Sequence, residues 1–285
     1  MVRAAYDGRA PRWLVSQRWE NLLFAHWRTE PAALGDHLPA GVEPDVRDGD
    51  AWLAIVAFVM VGTRPYGAPR RLALAPIPEL NVRTYVRVGG EPGVWFLSLD
   101  ASSPFFAGMG KALYGLRYRL SRMLAVPDGD GVHYLSTSAR ASFAARYAPV
   151  GPAAPVEAGS LEHFLVERYR MFAERRGRLV TARVSHRPWP LQAAEARIEL
   201  NRMAPPGLSF RGEPLVHFCR SVDALISAPA LVSAPGVAPF RRRLMRVPPP
   251  SARSALTAPP CASATCRTMA RPRPEPGIPR AEGAR

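Results

Sequence analysis

Residues Ala51 to Val61 read AWLAIVAFVMV, an unbroken run of apolar side chains. Water-facing loops do not tolerate such a run, and a membrane-spanning helix needs about 20 residues. Val, Ile, Phe and Trp favour extended backbone. The run therefore reads as a central strand, apolar on both faces, and the rest of the fold must supply the cover.

The flanking segments read as further strands. Trp19 to Trp27 alternates, with Trp19, Asn21, Leu23, Ala25 and Trp27 on one side and Glu20, Leu22, Phe24, His26 and Arg28 on the other. A short helix is expected after Pro31, ended by Pro39 and Gly41. Val42 to Val46 and Ala51 to Val61 flank Asp48-Gly49, a pair suited to a hairpin turn. After a Pro/Arg/Ala loop comes ELNVRTYVRV. Leu80, Val82, Thr84, Val86 and Val88 share one face; Glu79, Asn81, Arg83, Tyr85 and Arg87 share the other. Val94 to Leu99 returns antiparallel to it. Ser102 or Ser103 caps a helix that Gly115 ends. Strands follow at 116–126, 132–138 and 141–147, then GPAAPVEAG as a loop and LEHFLVERY as a helix opened by Ser160. Further strands are expected at 169–174, 179–185, 193–200 and 215–226. Hairpin-joined strands with a few short helices give an α+β domain, mainly an antiparallel barrel or curved sheet with flanking helices, over residues 13–226.

Charge separates the rest of the chain from this body. The formal net charge is +15, and from Pro235 to Arg285 ten Arg face only Glu275 and Glu282. That segment holds eleven prolines and no core-forming period. It cannot bury enough apolar surface to offset its ordering entropy, and we read 235–285 as a disordered basic tail, of a kind that read-through of a GC-rich gene would produce. Nearly all the positive charge is Arg, which such a genome favours, and no recognition helix or exposed stacking motif accompanies it. Nucleic-acid association therefore ranks lowest among the functions. Three cysteines and no CxxC offer neither a disulfide framework nor a zinc site. The first residues lack the apolar core of a secretory signal, and a cytoplasmic location follows by elimination.

RWENLLFAHWRTEPAALGDHLPAGVEPDVRDGDAWLAIVAFVM, PELNVRTYVRVGGEPGVWFLSLDASS, FLVERYRMF and SHRPWPLQ together resemble the YqjF-like family of uncharacterised bacterial proteins, remote relatives of acetoacetate decarboxylase. The resemblance covers roughly Trp13 to Ile226. It implies a curved antiparallel sheet around an internal cavity, and it brings no established reaction. Members of the family usually finish soon after the segment matching PLVHFCRSVDALI, whereas this chain runs on.

The candidate site begins with Glu79, Arg83 and Tyr85, which strand parity puts on one side. Arg suits bidentate binding of a carboxylate. A buried Glu can serve as general acid or base. The competing reading is a structural Glu79–Arg83 ion pair with Tyr85 as a core residue. Lys111 is the only lysine in the chain. In acetoacetate decarboxylase a lysine forms a Schiff base with the keto substrate beside a second lysine; the pair is missing here, and Lys111 reads as a helix-surface residue before it reads as a nucleophile. Tyr118 and Arg122 share parity and are candidate ligand-binding residues with His26, although Arg122 also suits a solvated position, as do Arg168 and Tyr169. His186 and His217 read as core or turn residues. No metal-ligand spacing, P-loop, GxSxG or dinucleotide fingerprint occurs, so no metal or cofactor is expected. The expected partner is a small molecule bearing a carboxylate or carbonyl, handled without Schiff-base chemistry. The alternative is a non-catalytic binding or sensing domain on the same fold. The oligomeric state is left open.

Overall fold

The computed structural model describes residues 11–232, so the tail read at 235–285 lies outside the described residues. In chain order the strands are β1 (Trp13–Thr29), β2 (Glu43–Pro44), β3 (Ala51–Pro65), β4 (Ile77–Val88), β5 (Glu91–Ala101), β6 (Tyr118–Leu120), β7 (Arg122–Asp128), β8 (Gly131–Thr137), β9 (Ser142–Pro155), β10 (Arg170–Arg175), β11 (Arg178–Ser185), β12 (Pro190–Asn201), β13 (Leu215–Ser227) and β14 (Ala230–Leu231). Two α-helices, α1 (Pro104–Tyr114) and α2 (Leu161–Val166), and two 3-10 turns, Pro31–His37 and Arg70–Leu72, join them.

All strands belong to one sheet, antiparallel except where β5 meets β10 and β6. The path β11–β10–β5–β4–β3–β1–β13 closes on itself, because Val184 and Ser185 of β11 pair with Ile226 and Leu225 of β13. From β13 the sheet continues through β12, β9, β8 and β7. That extension folds back over the outside of the ring and explains the apolar run in β3. Val56, Phe58 and Met60 point into the ring with Leu22, Phe24 and Ile77. Ile55 and Ala57 point outward with Leu23, Leu80 and Val82, and are covered by Val132, Tyr134, Phe143 and Tyr147 of β8 and β9. A strand with both faces inside the protein gains from apolar residues at every position.

Helix α1 follows the expected rules. The Ser103 hydroxyl accepts from the Phe106 N–H at 3.3 Å, and Pro104 opens the first turn. Gly115 ends the helix at φ 78°, and a Cβ there would lie 2.4 Å from the Glu174 carbonyl oxygen. Only glycine fits both constraints.

Four local expectations are corrected. Asn21 adopts φ 54°, and the β1–β3 register shifts between Glu20 and Leu23. This bulge inserts a residue and switches the inward face from Val15, Gln17 and Trp19 to Leu22, Phe24 and His26. Simple alternation through 19–27 is therefore broken. Second, Arg47 and Asp50 do bridge across Asp48-Gly49, but β2 pairs with β4 rather than β3. Both edges of β3 are already taken by β1 and β4. Third, the segment 116–126 divides at the buried Ser121 into β6 and β7. Fourth, β9 runs on through Pro155, where a loop was expected, and α2 stops at Val166. The C-terminal strands otherwise lie where the alternation puts them.

Candidate functional site

A cavity of about 110 Å³ occupies the ring interior. Its walls are mostly apolar: Leu22 and Phe24 from β1, Val56 and Phe58 from β3, Phe106 and Met109 from α1, and Trp189 ahead of β12. Polar groups enter chiefly from β4, whose Glu79, Asn81 and Arg83 all line the cavity. Their shared parity on one strand produces this, and the apolar partners of β4 on its outer face hold that parity in place.

Glu79 is 5% exposed. Its Oε2 accepts from the Tyr118 hydroxyl at 2.8 Å and its Oε1 from the Asn81 amide at 3.4 Å. Burial pushes its pKa up to about 7, against the opposing pull of the Tyr118 and Asn81 hydrogen bonds and of Arg83 through space. Tyr118 is itself fixed: Gly110 of α1 packs on its ring so closely that a Cβ would sit 2.7 Å from the ring carbon Cε2. The Tyr134 hydroxyl donates to the Glu79 main-chain carbonyl at 2.8 Å and anchors the backbone beneath.

Arg83 stands four residues further along the strand, about 13 Å at the usual rise. The two do not form the structural ion pair of the competing reading, and no carboxylate among the described residues forms a salt bridge with Arg83. Its guanidinium lies 5.7 Å from the Phe24 ring centroid and 5.8 Å from that of Tyr85, and its Nε is buried without a hydrogen-bond partner. The far end of the Asn81 amide is likewise unpartnered. Buried polar atoms are almost always satisfied, so groups left open around a cavity mark where a ligand or water would bind.

Tyr85 is fully buried beside Arg83 but does not line the cavity. Its ring packs 5.2 Å from the guanidinium of Arg168, which donates to Asp45 at 2.5 Å. Arg168 is therefore a buried structural cation and not a solvated one. His26 is 1% exposed and lies outside the cavity lining, 6.1 Å from the Tyr85 ring and 6.5 Å from His217. Burial, then the charge of Arg83, lowers its pKa well below the histidine range, so it is neutral. The Asn21 bulge turns it inward, to a level beyond the cavity. Tyr118 lines the cavity as expected. Arg122 does not: the strand break at Ser121 puts it on β7, exposed. Lys111 is exposed on α1, and the helix face that lines the cavity carries Phe106, Met109, Gly110 and Tyr114 instead.

Sequence reasoning placed Asn81 on the right face without marking it as a site residue. It missed Gln17 and Trp19 because the bulge was invisible to alternation. It missed Trp189 because only tertiary packing brings that loop to the cavity, where Trp189 meets Trp19 at 6.1 Å between ring centroids. Among the described residues, no group of three or more His, Cys, Asp or Glu could hold a metal ion, and no helix is long and apolar enough to cross a membrane.

Three solved structures share this fold. The enduracididine biosynthesis enzyme MppR complexed with pyruvate superposes with a TM-score of 0.57 at 13% identity, covering 79% of this chain and 91% of that one. An acetoacetate decarboxylase-like enzyme from Sphingomonas wittichii RW1 gives 0.56 at 17% identity, covering 81% and 99%. Acetoacetate decarboxylase from Legionella pneumophila gives 0.56 at 14%, covering 80% and 93%. Likeness at such identities establishes the fold alone. In sequence, the uncharacterized protein YqjF of Bacillus subtilis (strain 168) is 33% identical over 218 residues, which cover 75% of this chain and 90% of that protein. Residues 16–223 match the family model DUF2071, described as an uncharacterized conserved protein. With that match over most of its length, the chain belongs to the DUF2071 family and folds like the acetoacetate decarboxylase-like proteins.

Proposed function

We propose that the ring interior binds a small carboxylate of the keto-acid type and acts on it by proton transfer without a covalent lysine intermediate. The observation that carries this reading is an unpaired guanidinium, Arg83, in an apolar cavity that it shares with an unpaired carboxyl, Glu79. A guanidinium without a counter-ion, its Nε buried and unpartnered, favours an anionic ligand, and its planar fork matches a carboxylate in two hydrogen bonds. Glu79, with its pKa near 7, holds or releases a proton at neutral pH, which is what general acid–base work needs. The small volume suits a ligand of a few non-hydrogen atoms. The pyruvate complex of MppR is consistent with this ligand class on the same fold. Exposure of Lys111 argues against Schiff-base chemistry, which requires an amine inside the site.

Calorimetric titration with pyruvate and acetoacetate tests the reading, together with carbon dioxide release from acetoacetate across pH. Saturable binding is expected, with Arg83→Ala weakening it at least tenfold and Lys111→Ala leaving it unchanged. Turnover that changes as pH passes through 7 and disappears in Glu79→Gln supports catalysis; binding without turnover converts the site to a sensor. Equal affinity in Arg83→Ala, or a borohydride-trapped adduct on Lys111, overturns the proposal.

A further inference from the structure

A second recess lies where the ring closes. It is a groove of about 910 Å³ formed by the start of β1, the end of β3 and the facing ends of β11 and β13. Four arginines line it, Arg18, Arg64, Arg70 and Arg187, against one carboxylate, Asp223. Arg18 is already engaged by Glu20, Asp223 and Ser221. Arg64 donates only to the main-chain carbonyls of Gly62 and Ala68, which leave its charge uncompensated. Arg70 and Arg187 are exposed and have no salt bridge among the described residues.

The groove adjoins the cavity. Gln17 lines both. His186, in the groove wall, packs its ring 4.4 Å from Trp189 and 6.2 Å from Trp19, two residues of the cavity wall. The geometry points to an anion subsite in this groove, serving a ligand whose small acid head enters the cavity and whose phosphate group rests among Arg64, Arg70 and Arg187. A phosphate offers several acceptor oxygens to guanidinium forks arriving from different strands and loops, and so uses the multiplicity of arginines better than a single carboxylate does. The link to the cavity rests on the function proposed above; the anion subsite does not.

The test uses the full chain and two probes. Inorganic pyrophosphate is titrated by calorimetry at fixed salt. The double variant Arg70→Ala/Arg187→Ala is expected to bind it at least tenfold more weakly, and Arg70→Lys/Arg187→Lys to retain most of the affinity. Arg28→Ala/Arg122→Ala, which removes two exposed charges outside the groove, should bind as wild type does. The second probe compares 3-phosphoglycerate with glycerate: wild type prefers the phosphorylated acid about tenfold, and the Arg70/Arg187 alanine pair loses that preference. Undiminished pyrophosphate binding in the alanine pair places the anion elsewhere on this basic chain and overturns the subsite, as does no binding at all. If Arg70 and Arg187 matter while Arg83→Ala changes neither acid, the groove stands and the cavity reading fails.

Discussion

The carboxylates buried among the described residues fall into two environments. Asp45, at 3% exposure, accepts from Arg87 Nε at 2.7 Å and from Arg168 Nη1 at 2.5 Å. Asp100, also buried, accepts from Arg119 Nε at 2.6 Å and from the Ser121 hydroxyl at 3.0 Å. Both carboxylates are paired with arginines, and they tie together segments that are separate in the chain. Glu79 is as deeply buried but receives only a phenol and an amide, and its proton affinity rises accordingly. The difference separates structure from candidate chemistry: a paired buried carboxylate is an anchor, whereas an unpaired one beside a cavity can exchange a proton near neutrality.

The comparison breaks first at Asp45. Asp45→Ala strands Arg168, whose side chain is 6% exposed, without a counter-charge. Loss of about 3–5 kcal/mol of stability is expected by urea unfolding. A loss under about 1 kcal/mol would show that Asp45 is not the anchor described.

Glu79 should behave in the opposite sense. Its pKa is raised from the ordinary 4.5 to about 7, so the folded state holds a proton that the unfolded state releases. The stability from this group is fully present below pH 4.5 and is lost as pH rises through 7. Glu79→Gln lacks that slope. Relative to wild type, it should gain up to about 3 kcal/mol between pH 4.5 and 8, the free energy of a shift of that size. A gap that does not change with pH would mean that burial does not raise the proton affinity of Glu79.

Gly110→Ala sharpens the same contrast with a smaller effect. The new methyl meets the Tyr118 ring at 2.7 Å and must displace it, at about 1–3 kcal/mol. Moving the phenol away removes a bond that stabilises the Glu79 anion, so the upper end of the Glu79-dependent slope should shift above pH 7. An unmoved upper end would show that Tyr118 does not set the proton affinity of Glu79.

Much of this was legible in the residues. The double-faced run Ala51 to Val61 required cover on both sides, and parity alone brought Glu79, Asn81 and Arg83 to one wall. Reading ended where parity met a local irregularity or a distant neighbour. The Asn21 bulge shifted β1 by one residue and, with it, which of its side chains face inward. The break at Ser121 separated Tyr118 from Arg122. Tyr85 shares the face of Arg83 but lies past the end of the cavity, against Arg168.

The amino-acid sequence by itself determined the strands, the helix caps and the side of β4 that carries charge, because each follows from the two-residue period of extended chain and from short-range capping. Only the tertiary structure decided which of those charges would be paired. Arg168 finds Asp45 and Arg119 finds Asp100, while Glu79 and Arg83 line the same cavity without pairing. Pairing depends on distances between segments far apart in the chain, and periodicity along one strand carries no information about them.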